Sequence, residues 1–183
     1  MKKLLVATLV ALSFGAQAAN FVQVEQEHVT GRKGADSSEV SYVRFGKDIG
    51  DYGLGVQSRT ARFNAGGIAN SLEATVSNKN VSLFGITPFV GAGRDFGGDA
   101  SHQAYSYGLV GATTGVKVGP GFALLGAKTR VGSTESGART KQTVTFVSYS
   151  VPVAKDIAVN AGLSRSAQDI KEKGVSVGVS FGF

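Results

Sequence analysis

The stretch KGVSVGVSFGF, residues 173–183, decides the fold. Val175, Val177, Val179, Phe181 and Phe183 occupy one parity, and Gly174, Ser176, Gly178, Ser180 and Gly182 the other. A period of two is the signature of a strand whose faces meet different surroundings. A strand of a soluble sandwich would turn its apolar face inward and carry long charged side chains toward water. Here the second face is only Gly and Ser, which suits the inside of a narrow barrel whose apolar face touches lipid. The same alternation runs through Tyr52, Leu54 and Val56; Leu72, Ala74 and Val76; Ala123, Leu125 and Ala127; and Ile157, Val159, Ala161 and Leu163. Each stretch is about 9–11 residues, the length of a tilted strand crossing a bilayer.

The breaks between these stretches count the strands. DIGD (48–51), NKN (78–80), GPG (119–121) and AKD (154–156) are short. TGRKGADSS (30–38), NAGGIAN (64–70), DFGGDASHQ (95–103), GSTESGA (132–138) and QDIKE (168–172) are long and polar. Short and long alternate, as tight periplasmic turns and longer outer loops do in a transmembrane barrel. Nine breaks predict an all-β, antiparallel up-and-down transmembrane barrel of ten strands. Eight is the alternative, because Gly-rich 108–119 and Pro88 blur two boundaries. Closure follows from physics, since backbone N–H and C=O groups in hydrocarbon must pair within the protein. Phe45, Tyr52, Phe122, Phe181 and Phe183 near the short turns, and Phe63, Phe96, Tyr105 and Tyr107 near the long ones, are expected to form two interfacial girdles.

Composition agrees. The 183 residues include 26 Gly, no Cys, no Trp and two His. Gly at this density argues against long helices, and two His make a dense metal site improbable. The formal charge of +6 comes from scattered residues, not from the basic block of a nucleic-acid arm, so no nucleic acid is expected as a partner. At the N-terminus Lys2 and Lys3 precede the apolar run LLVATLVALSF, and Ala16-Gln17-Ala18 has the small-residue cleavage pattern. Residues 1–18 therefore read as a cleaved secretory signal peptide, and 19–183 as the barrel. An exported chain without cysteine has no disulfide framework, so its stability must come from burial or from a membrane.

The terminal strand, with its alternate apolar residues from Val175 to Phe183, resembles that of bacterial outer-membrane barrels. ITPFVGAG (86–93) resembles a segment midway through the small opacity-type barrels. The resemblance implies an outer-membrane location in a Gram-negative envelope and recognition of the final strand by the barrel-insertion machinery. It also implies a porin-like passive role, or surface adhesion as in opacity proteins. Outer loops of about 5–9 residues offer little area against the roughly 800 Å² per partner of a standard interface, so the passive role, as a narrow pore or envelope-stabilising barrel, is preferred.

The candidate site lies inside. Inward parity on the first four strands collects Gln23, Glu25, Glu27, Arg44, Gln57, Arg59 and Glu73, and hairpin registers that place Glu25 opposite Arg44 and Arg59 opposite Glu73 would pair opposite charges. Such pairs brace the wall, or they form a constriction that selects ions. On strands nine and ten, Asn160, Gly162, Ser164, Ser166, Ser176, Gly178 and Ser180 leave room in the lumen. No enzyme activity, cofactor or metal is expected. His28 and His102 are single, and the adjacent Ser101 and His102 would face opposite ways on a strand, which leaves an outer-membrane lipid hydrolase as the least favoured alternative. Arg32, Lys33, Arg59, Arg62, Arg94, Lys128, Arg130, Arg139, Lys141, Arg165, Lys171 and Lys173 fall in the outer half. They point to outer-membrane lipids, lipopolysaccharide phosphates in particular, as partners.

Overall fold

A computed structural model describes residues 20–31, 37–97, 104–168 and 172–183. They form β1 (Asn20–Gly31), β2 (Ser38–Ile49), β3 (Tyr52–Phe63), β4 (Ile68–Asn78), β5 (Ile86–Asp95), β6 (Tyr105–Val118), β7 (Gly121–Thr134), β8 (Arg139–Ala154), β9 (Ile157–Gln168) and β10 (Glu172–Gly182). Each strand pairs antiparallel with its sequence neighbours and β1 closes on β10, so the sheet has no free edge. The count is ten, not eight. The expected leader, residues 1–18, and the loop residues Arg32, Lys33, Ser101, His102 and Lys171 lie outside the described residues.

Parity holds around the barrel. Val90 on β5, Val110 on β6, Leu163 on β9 and Val175 on β10 are 52–60% exposed, whereas Gln23, Glu25, Glu27, Glu73, Asn160 and Ser176 are buried. The outer band is apolar, and within, polar side chains share the lumen with two small apolar clusters, Val29, Val40 and Ala61, and Phe89, Tyr107 and Leu109. Only a lipid environment makes so large an apolar surface favourable.

The aromatic residues divide differently from the two expected girdles. Phe45, Tyr52 and Phe181 do face outward at the tight-turn end, where the Phe45 and Phe183 rings lie 6.2 Å apart. Phe63, Tyr105, Tyr107 and Phe122, however, sit on inward parity, and Tyr107 is buried. Glycines on the adjacent strands explain how the lumen holds such rings. A Cβ on Gly46, Gly93, Gly111, Gly115 or Gly126 would collide with Phe21, Tyr107, Phe89, Phe122 or Phe146 respectively. Many lumen glycines are thus notches filled by a neighbouring ring, not empty space. Gly126→Val is therefore expected to displace Phe146 and destabilise the barrel by about 1–3 kcal/mol. Gly108→Ala, whose Cβ would meet nothing, is expected to be nearly neutral. Urea unfolding in lipid vesicles compares the two.

Three of the four short connections are two-residue turns. The β4–β5 connection is not. Pairing between these strands stops at Ser77 and Phe89, just short of Pro88, which has no N–H to extend the ladder. Residues 79–85 instead form a longer excursion with one 3₁₀ turn, Lys79–Val81.

Candidate functional site

Near the middle of the barrel the inward side chains form two clusters. The first spans β1, β2, β3 and β9. Arg44 Nη1 lies 2.8 Å from the Glu25 carboxylate, and Arg44 Nε donates to Gln57 at 2.6 Å. The Arg44 guanidinium also stacks 4.5 Å from the centre of the Tyr42 ring. Tyr42 Oη donates to Glu27 at 2.6 Å, and Ser164 Oγ donates to the other Glu27 oxygen at 2.5 Å. Small residues on β9 and β10 allow this. A Cβ on Gly174 would strike the Glu27 carboxylate.

The second cluster is centred on Glu73 of β4. Lys128 Nζ lies 2.5 Å from one of its carboxylate oxygens. Arg130 approaches the other with Nε at 3.0 Å and Nη2 at 2.7 Å, and Tyr107 Oη donates to that oxygen at 3.3 Å. Arg130 also donates to Gln142 at 3.1 Å and lies over the Tyr107 ring at 5.2 Å. Charge-assisted bonds of this kind, with both carboxylate oxygens engaged, fix geometry as well as neutralise charge.

The two clusters face one another. Arg44 on β2 and Lys128 on β7 stand five strands apart in a ring of ten, on opposite walls of one cavity. Together they form a charged waist. Around it a cavity of about 220 Å³ has walls that include Phe21 toward the tight-turn end and Phe63, Asp95 and Glu172 toward the long-loop end.

All five expected lumen residues, Glu25, Glu27, Arg44, Arg59 and Glu73, line this cavity. Their pairing differs from the expected registers by two residues. Arg44 stands opposite Gln23 and Tyr42 opposite Glu25, so the Glu25–Arg44 ion pair forms on the diagonal. Arg59 stands opposite Ser71, and Glu73 opposite Gln57. The carboxylate of Glu73 is taken by Lys128 and Arg130 instead. Those two cations therefore belong to the lumen and not to an outer rim, as does Arg59. The parity of β7 carries this signal, because Lys128 and Arg130 alternate with Ala127, Thr129 and Val131. His28 faces outward and is exposed, 2.9 Å from Glu39. Among the described residues no group of three or more His, Cys, Asp or Glu side chains could hold a metal.

No family model and no curated protein matches the chain. Among solved structures, the translocator domain of the autotransporter NalP from Neisseria meningitidis is similar at 11% identity and a TM-score of 0.50, covering 94% of this chain and 91% of that one. Neisserial surface protein A is 13% identical over 92% of this chain and 100% of its own, with a TM-score of 0.47. The N-terminal β-barrel domain of Pseudomonas aeruginosa OprF is 15% identical over 91% and 100%, with a TM-score of 0.40. The fold is that of small bacterial outer-membrane β-barrels.

Proposed function

We propose that this outer-membrane barrel is a narrow passage for water and small ions whose selectivity is set at the charged waist. The observation that carries this reading is the cavity itself, bordered by four cations, Arg44, Arg59, Lys128 and Arg130, and five carboxylates, Glu25, Glu27, Glu73, Asp95 and Glu172. Side chains of both signs in a constriction hold permeating ions weakly enough to release them. The ion pairs also brace the wall. A barrel that only stiffens the envelope would need the bracing and not the cavity. Lipid is the partner that the apolar band requires, and basic residues on outward parity near the long loops, such as Arg62, Arg165 and Lys173, suit lipopolysaccharide phosphates.

Arg44 gives the test. Replacing it with Ala removes one positive charge from the waist and widens it, so conductance is expected to rise and selectivity to move toward cations. The reversal potential of the refolded variant across a salt gradient measures this. An unchanged reversal potential, with reduced thermal resistance, would assign Arg44 to bracing alone. The double variant Glu25→Ala with Arg44→Ala removes both charges and is expected to recover stability while keeping the raised conductance.

A further inference from the structure

The β4–β5 excursion ends in an apolar tip that neither the waist nor the lumen uses. Leu83 and Ile86 exchange both backbone hydrogen bonds, N to O at 3.0 and 2.9 Å, and so close a two-residue hairpin over Phe84 and Gly85. Both central residues have positive φ, 53° at Phe84 and 77° at Gly85. Such turns favour Asn, Asp or Gly at the first position. Phe there is strained, and Phe84 is the only non-glycine residue with positive φ among those described. It is also 93% exposed, with Leu83 at 68%. A strained backbone that presents an aromatic ring to its surroundings is a reason to ask what covers that ring.

The geometry points to lipid: we propose that Leu83 and Phe84 insert into the interfacial layer of the inner leaflet and anchor the tight-turn end of the barrel. Continuity with the lipid face supports this occupant. Leu83 pairs directly with Ile86, so the two share a face, and Ile86 alternates outward with Pro88 and Val90 along β5. The tip is thus an extension of the membrane-facing surface past the last β4–β5 pair. It is also held firmly. Lys79 at its base donates its backbone N–H to Asp51 at 2.8 Å, and its ammonium lies 2.6 Å from Asp48, both on or beside the β2–β3 turn. An aromatic ring at the headgroup level is favourably placed, apolar on one side and near water on the other.

The chain contains no Trp, so one introduced Trp reports its own surroundings. Phe84→Trp, refolded in phosphatidylcholine vesicles and checked by heat-modifiable gel mobility, is expected to emit to the blue of Ala65→Trp, a variant at an exposed position of the β3–β4 outer loop. Lipids brominated near the carbonyl end of the acyl chain are expected to quench it, and aqueous iodide to leave it largely unquenched. Leu83→Trp is expected to behave in the same way and serves if Phe84→Trp does not fold. Red emission quenched by iodide as in Ala65→Trp would overturn the proposal, since the tip would then stand in water. A blue shift that appears only at high protein-to-lipid ratio, or that resists both quenchers, would also overturn it by showing a second copy over the tip.

Discussion

Glu73→Ala is expected to destabilise the barrel by about 3–5 kcal/mol, because it leaves Lys128 and Arg130 in the lumen without their carboxylate. The side chain of Glu73 is 5% exposed and those of both cations are 14% exposed, so water replaces the lost partner poorly. The effect comes mainly from stranded charge, not from lost attraction. Hence the triple variant Glu73→Ala, Lys128→Met, Arg130→Met is expected to regain most of the loss, as replacement of a complete buried ionic group often does. Urea-dependent unfolding in vesicles, followed by gel mobility, separates the two. A triple variant as unstable as the single one would mean that Glu73 matters through packing against Tyr107.

Leu163→Arg carries the second large effect. Leu163 lies midway along β9 on the outward face, between Val175 of β10 and Val147 of β8. A guanidinium at the bilayer midplane is expected to cost about 2–4 kcal/mol, whereas Val153→Arg, on the same face at the tight-turn end of β8, is expected to cost about 0–1 kcal/mol. The contrast in depth distinguishes a lipid-embedded wall from a soluble surface. Equal and small costs at both sites would place the outer band in water.

These predictions rest on features that differ in how far they show in the sequence. The strand count and the facing of β1–β4, β7, β9 and β10 are legible because a period of two is local, and the terminal Val175–Phe183 alternation displays it without interruption. Turn-based registers are legible only to within two residues. The Glu25–Arg44 contact survives that error, since a long Arg side chain reaches a diagonal neighbour, but the expected Arg59–Glu73 pair does not. The partners of Glu73 lie three strands away on β7, and closure of the barrel, which no local pattern encodes, brings them together. Position near strand ends points Tyr105, Tyr107 and Phe122 to the interfaces. Notches at Gly93 and Gly115 on the adjacent strands let the lumen take the rings of Tyr107 and Phe122, and that complementarity becomes visible only once register is known. The β4–β5 excursion is hidden for a similar reason. NKN reads as a complete turn, while Pro88, well beyond it, decides where pairing resumes.

The most direct test of the passage is single-channel recording of the wild-type protein, refolded and inserted into a planar lipid bilayer. Small, discrete and reproducible current steps are expected, with weak selectivity from a waist carrying charges of both signs. Folded wild-type protein that inserts and yet carries no current would contradict the account.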